Sequence, residues 1–404
     1  MSDSRQPPAT YDLRCSECGR TYDSQRLQNF CTDCNRPLVA RFHLNVILGE
    51  QIRERLDSER RGLWRYREVL PVGDEAHITT LGEGGVPLTA APRLAARLGL
   101  QRLWIKDESQ NPTGSFKARG MSVAISKAVE LGARRFCLPS AGNAAGAAAA
   151  YGALAGCAVR VYMPSDSGEA FFAECRACGA EVFAVDGTIA DCGKRMREEC
   201  TGADWFDLST LKEPFRLEGK KTMGYELWED FGAGTELPDV IVYPTGGGTG
   251  LIGMWKAFDE MEQLGWIGSQ RPRMISVQSE GCAPIVRAFE SGAKTATPVA
   301  NPKTAALGLR VPGAFADVMI LRAIRESHGL AISVTEDEWA DGSSWLASDV
   351  GLFASPEGGA AVAAVKKAAE LGTISATDRV VVFNTGSGYK YPPATWPRSA
   401  RGQS

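Results

Sequence analysis

Asn111-Pro112-Thr113-Gly114-Ser115-Phe116-Lys117-Ala118-Arg119-Gly120 is the stretch on which the reading of this sequence turns. A turn built from Pro and Gly leads into a helix, and Lys117 falls in that helix's first turn. The dipole is already positive there, so an ammonium group is disfavoured. The placement lowers the pKa of the amine and suits a lysine that condenses with an aldehyde. Taken alone, Lys117 fits a surface lysine after a loop almost as well, and its neighbours along the chain decide between the two.

Outward from this point, short apolar runs alternate with Ala-rich segments. Strands are expected at Leu103–Ile105, Phe136–Pro139, Val159–Met163, Glu181–Val185, Val240–Tyr243, Ile275–Val277 and Val380–Phe383. Helices are expected at Phe116–Leu131, Asn143–Leu154, Ala170–Cys178, Ala190–Cys200, Leu251–Gln263 and Gly358–Leu371. That alternation predicts an α/β fold with buried, mostly parallel sheets. Three more motifs sit where strands end. Ser140-Ala141-Gly142-Asn143-Ala144 opens a helix, where Ser and Asn usually do no more than cap it. In company with Lys117 they become candidates for a substrate carboxylate and a cofactor hydroxyl. Pro244-Thr245-Gly246-Gly247-Gly248-Thr249-Gly250 lets successive N–H groups converge on an anion at a helix N-terminus, the construction of a phosphate cradle. No Gly-Lys-Ser/Thr follows, so it is not a Walker loop. A tight glycine turn is the plainer alternative. Asn384-Thr385-Gly386-Ser387-Gly388 places the Thr385 hydroxyl at a strand end, to meet a ring nitrogen or to cap a turn.

In this order the four motifs resemble the fold-type II pyridoxal-phosphate enzymes, over roughly residues 78–392. The resemblance implies two lobes with mostly parallel sheets: a large cofactor-binding lobe of 76–115 and 211–395, and a small mobile lobe of 116–210. It implies Lys117 as the lysine that carries pyridoxal 5'-phosphate as a Schiff base, and Asn143 on the cofactor's 3'-oxygen. It places the phosphate on Gly246, Gly247, Gly248, Thr249 and Gly250, and Thr385 on the pyridine nitrogen. A neutral hydroxyl there leaves the ring a weaker electron sink, and elimination and replacement chemistry becomes the natural repertoire.

Within the family the sequence is most similar to the threonine synthases. Leu81-Gly82-Glu83-Gly84, Arg216-Leu217-Glu218-Gly219-Lys220-Lys221-Thr222, Gly308-Leu309-Arg310-Val311-Pro312 and Thr385-Gly386-Ser387-Gly388-Tyr389-Lys390 carry that likeness. It implies a lyase of threonine biosynthesis that converts O-phospho-L-homoserine and water to L-threonine and phosphate. Ser140 would bind substrate, and Arg216 and Lys221 would be the cations that meet the leaving phosphate. The chain departs from the synthase pattern at Ala118, Ala144 and Leu211, each in place of a polar residue, and in its all-glycine loop. The alternative enzyme is a dehydratase or β-replacing synthase acting on a hydroxy amino acid. The alternative of another class is a regulatory protein that keeps the fold without turnover.

The first 42 residues stand apart. Cys15-x-x-Cys18, twelve residues, then Cys31-x-x-Cys34 is the spacing of a four-thiolate zinc site. So short a segment buries little core, and a structural metal would staple it. A ribbon that has lost its metal is the alternative. The charged segment Val46 to Tyr66, within 43–75, reads as an exposed linker helix. Cys175 and Cys178 read as core or helix surface, and His43, His77 and His328 fall in no metal or nucleophile pattern. Eleven cysteines without a secretory signal point to a reducing cytoplasm. A net charge of −3 recommends neither nucleic acid nor a membrane surface as partner. Ala144–Met163 fits a helix–turn–strand better than a membrane span. The partner expected is a small amino-acid substrate, with a homodimer left open.

Overall fold

Runs of β-branched and aromatic residues become strands in the computed structural model, which describes residues 8–56, 62–202, 204–234 and 236–391. They are β1 (Tyr11–Cys15), β2 (Thr21–Tyr22), β3 (Leu38–Phe42), β4 (Leu88–Ala90), β5 (Arg102–Asp107), β6 (Arg135–Pro139), β7 (Ala158–Pro164), β8 (Glu181–Val185), β9 (Phe206–Asp207), β10 (Val240–Pro244), β11 (Arg273–Ser279), β12 (Leu330–Val334) and β13 (Arg379–Asn384).

A six-stranded sheet has the order β12-β11-β10-β13-β5-β4 and is parallel except for β4, which runs antiparallel to β5. Its central strands are apolar throughout because both faces are covered. Val240, Val242, Val380 and Val382 point to one face, against helix Pro356–Glu370. Ile241, Tyr243, Val381 and Phe383 point to the other, into the core shared with helices Phe215–Asp230 and Thr249–Gln263. The second sheet, β8-β7-β6-β9, is wholly parallel and is flanked by helices Asn143–Leu154, Glu169–Ala177 and Ile189–Cys200. The antiparallel sheet β2-β1-β3 belongs to the cysteine-bearing N-terminus. The fold is therefore the two-lobed α/β arrangement with parallel sheets and an N-terminal appendage.

The structure differs from the sequence reading in two ways. Helix Phe215–Asp230 lies outside the expected helices, because residues 215–228 are all buried and show no apolar stripe to betray it. The expected exposed helix Val46 to Tyr66 is corrected. Val46–Leu56 is helical, 57–61 lies outside the described residues, and Leu63–Val69 is a 3-10 turn with Leu63, Trp64 and Tyr66 buried. Trp64 Nε1 donates to Glu83 Oε1 at 3.1 Å and to Ser122 Oγ at 3.0 Å, while Tyr66 Oη donates to Glu229 at 2.6 Å. Two large aromatic side chains cover too much apolar area to be left in water, and their polar tips find partners inside. Among the described residues no helix is long and apolar enough to cross a membrane.

Candidate active site

Ligand sites of parallel sheets form beyond the carboxyl ends of the strands. Here Pro139 at the end of β6, Pro244 at the end of β10 and Thr385 just after β13 open onto one cavity of about 530 Å³. A wider groove of about 1110 Å³ lies at the opposite strand ends, by Asp239, Arg273 and Arg379. Its arginines are paired, Arg273 with Asp378 at 2.6 Å and Arg379 with Asp239 at 3.0 Å.

Lys117 begins helix Lys117–Glu130 and lines the cavity. Burial pushes its amine down to about 7, the nearby Arg216 guanidinium adds to the shift, and Glu357 opposes it. The turn before it is knitted to the last motif: Phe116 N donates to Thr385 O at 3.2 Å and Ser387 N to Gly114 O at 2.9 Å. Thr113 and Gly114 accept positive φ, 59° and 60°, to make that turn. Lys117 and Thr385 therefore share one backbone scaffold although they are far apart in sequence.

Ser140, Asn143 and Thr385 line the same cavity, as do Gly246, Gly247, Gly248, Thr249 and Gly250. The Ser140 hydroxyl is partly used locally, accepting from Gly142 N at 3.3 Å and Ala145 N at 3.0 Å. Asn143 Oδ1 is buried without a hydrogen-bond partner, which favours a ligand that supplies one. Gly248 takes φ 81° to turn the chain into helix Thr249–Gln263. A Cβ on Gly246 would lie 2.2 Å from Gly308 O, and one on Gly250 1.9 Å from Tyr243 Oη, so neither position has room for a side chain. The first N–H groups of an α-helix have no intrahelical partner, and Thr249 and Gly250, which open this one, line the cavity. A lysine neutral near physiological pH, an unpartnered asparagine oxygen and a bare glycine cradle fit a phosphorylated aldehyde.

The two cations that the sequence singled out are placed differently. Arg216 is fully buried behind the wall, with Nη1 donating to Leu208 O at 2.7 Å and to Thr210 Oγ1 at 3.3 Å, and with Nε unpartnered. It acts on Lys117 electrostatically rather than by lining the cavity. Lys221 is a correction. Its Nζ lies 2.8 Å from Glu218 and 2.8 Å from Glu260, inside a buried cluster with Lys256, and it does not reach the cavity. The helix decides this. Residues 216 and 220 share one face four apart, whereas 218 and 221 share another, so only the first pair is turned toward Lys117. Lys220, unremarked in the sequence, donates to Phe116 O beside Lys117.

The sequence reading also missed Arg197, Lys212 and Arg310, which line the cavity together with Ser209 and Thr210. Arg310 lies in the quoted Gly308–Pro312 run, which was its available signal; Arg197 and Lys212 lie in segments with no motif. Arg310 is paired with Asp166 at 2.8 and 3.0 Å. Of the three departures from the synthase pattern, Ala118 and Leu211 are core residues outside the cavity lining, and Ala144 alone faces it.

At the N-terminus the Sγ atoms of Cys15, Cys18, Cys31 and Cys34 all lie within 4.8 Å of one another, with Cys15–Cys34 at 3.3 Å and Cys18–Cys31 at 3.7 Å. Four thiolates about 2.3 Å from a tetrahedral zinc stand about 3.8 Å apart, so the donor set fits that ion. After each pair the chain turns back through a positive φ, 73° at Gly19 and 52° at Asn35. Glu17 N and Tyr22 Oη donate to the Cys15 and Cys31 sulfurs at 3.4 and 3.2 Å.

The family model for pyridoxal-phosphate dependent enzymes matches residues 79–386. Threonine synthases of Methanosarcina acetivorans and Methanocaldococcus jannaschii are 37% and 35% identical to this chain, over 95% and 94% of it and 93% of each relative. Among solved structures, maize serine racemase has a TM-score of 0.64 at 19% identity, covering 88% of this chain and 96% of its own. The processed form of threonine deaminase isoform 2 from Solanum lycopersicum has a TM-score of 0.64 at 21% identity, covering 75% of this chain and 83% of its own. A cavity that suits the cofactor at the carboxyl ends of parallel strands, and a family match that spans both large sheets, lead to one conclusion: the chain belongs to the fold-type II pyridoxal-phosphate dependent enzymes.

Proposed function

We propose that this enzyme is a lyase that converts O-phospho-L-homoserine and water to L-threonine and phosphate. The observation that carries the reading is a second provision for an anion. Besides the Gly246–Gly250 cradle, the cavity holds Arg197, Lys212 and Arg310, and the first two have no ion-pair partner among the described residues. A phosphate carries nearly two charges and is costly to desolvate without such donors. Threonine synthases aligned over nearly the whole chain support the same reading.

Lys117 would hold the cofactor, Asn143 its 3'-oxygen, Gly246–Gly250 its phosphate and Thr385 its ring nitrogen. When bound, pyridoxal phosphate stabilises negative charge on the carbons of the substrate next to it. Lys117 moves the protons at Cα and Cβ, which an amine titrating near 7 is suited to do. Ser140 meets the substrate carboxylate, and Lys212, Arg197 and Arg310 hold the phosphate as it leaves. Arg216 keeps the Lys117 amine low and braces Thr210. Cys15, Cys18, Cys31 and Cys34 would hold one structural zinc.

A second reading, a dehydratase or β-replacing synthase of hydroxy amino acids, draws on Ala144, which presents no hydroxyl to the cavity. One purified sample assayed for phosphate release and for 2-oxo acid formation separates them. Threonine and phosphate formed in equal amounts from phosphohomoserine is the expected result; efficient turnover of serine or threonine with no phosphate released overturns it.

A further inference from the structure

The second cysteine knuckle does more than close the N-terminal ribbon. Asn29 Nδ2 donates to the carbonyl of Asp207 at 3.0 Å, and Asp207 ends β9 in the four-stranded sheet. The Asp207 carboxylate in turn accepts from Ser209 N at 2.7 Å, at the start of the wall formed by Ser209, Thr210 and Lys212. On the other side, Phe30 packs edge-on against Phe315 with ring centroids 6.0 Å apart, and Phe315 lines the cavity. Arg36 Nη1 lies 3.1 Å from Asp317 Oδ1, whose other oxygen accepts from Ala296 N at 2.8 Å. Residues 29–36 are thus a strap from one cavity wall to the other, and Cys31 and Cys34 sit in its middle. The ribbon's own sheet and thiolate cluster require none of these three contacts.

We propose that this knuckle is a positioning element of the active site: by tying Asp207 to Phe315 and Asp317, it fixes the separation of the walls that bracket the substrate. Its own shape depends on the four thiolates. Asn35 N turns back to Cys31 O at 3.0 Å, and Tyr22 Oη reaches both Cys31 Sγ and the amide of Thr32. Metal bound by Cys15, Cys18, Cys31 and Cys34 therefore stiffens the strap. Arg310 and Asp166 bridge the lobes at a separate point, so loss of the strap loosens the walls without unfolding them. Among the described residues no hydrogen bond, ion pair or ring contact joins the strap to Lys117 or to the glycine cradle, so cofactor retention is expected to be independent of it.

The inference rests on this cavity being the substrate site, and the test is chosen to separate the two. Amide hydrogen exchange of the holoenzyme is measured for segments 207–212 and 312–317, with 240–250 as internal control. The wild type with zinc, the same protein after chelation, and the Asn29→Ala/Arg36→Ala variant with zinc are compared. Exchange in both wall segments should quicken by about tenfold after chelation and in the variant, with the control segment unchanged. Arg36→Lys with Asn29 intact, which keeps the charge pair, should restore protection near Asp317. KM for phosphohomoserine should rise by about tenfold in step, with kcat and the cofactor absorbance changed much less. Unchanged exchange in the wall segments overturns the proposal. So does faster exchange accompanied by an unchanged KM, or loss of the cofactor band together with the walls. If phosphohomoserine is not turned over at all, the reading of the reaction falls, and the exchange data still decide whether the knuckle holds the walls.

Discussion

Burial, with the Arg216 guanidinium adding to it and Glu357 opposing, brings the Lys117 amine down to about 7. The neutral form is the one that condenses with an aldehyde, and its share grows as pH rises through the folded value. Apoenzyme should therefore take up pyridoxal phosphate several-fold faster at about pH 8 than at about pH 6. Arg216→Ala removes a charge that helps depress the amine, so the midpoint of that profile should move to higher pH. Stopped-flow absorbance at a series of pH values reads both; an unmoved midpoint would show that burial alone sets the titration. Borohydride reduction and peptide mapping should place the cofactor on Lys117. The second prediction at this scale concerns substrate affinity. Lys212→Ala should raise KM for phosphohomoserine by about tenfold, the scale of one lost charge-assisted hydrogen bond. Arg197 is exposed, so Arg197→Ala should act more weakly and its effect should fade as salt is added. Steady-state kinetics at low and high ionic strength distinguishes the two residues.

Helix Phe215–Asp230 is the element that separates catalysis from stability. Arg216 and Lys220 turn toward the Lys117 turn, whereas Glu218 and Lys221 turn into a cluster with Lys256 and Glu260 from helix Thr249–Gln263. Two opposite pairs packed against one another in the core leave no charge uncompensated, but deleting one member strands its partners. Lys221→Ala should therefore cost about 3–5 kcal/mol in denaturant unfolding while leaving KM within about twofold. A raised KM without loss of stability would return Lys221 to the substrate. Arg119 makes the same kind of join on the neighbouring helix, with Glu108 at 2.6 Å and Glu226 at 2.6 Å. The sequence shows these charges as a solvated helix face would, which is why the element was not legible there. Strands β10 and β13 were legible because burial on both faces writes itself as an unbroken apolar run.

For the whole molecule, the four converging thiolates could hold one metal ion; about one zinc per chain is the expected result on purification, and Cys31→Ser should abolish it. Elemental analysis against protein concentration checks the stoichiometry, and protein that keeps an intact, protease-resistant N-terminus without metal would refute it. What the sequence determined about this protein was local. The turn into Lys117, the glycine cradle and the paired knuckles each depend on backbone conformation within a few residues, so residue type and spacing suffice to specify them. The parallel architecture followed because βα alternation leaves few other ways to bury both faces of a sheet. Only the tertiary structure decided which cations serve the cavity. Arg197 and Lys212 reach it from segments without motif, while Lys221, inside a conspicuous motif, faces away. The direction of a side chain on a fully buried helix is set by the distant partners packed around it, and those partners are brought together only by the fold.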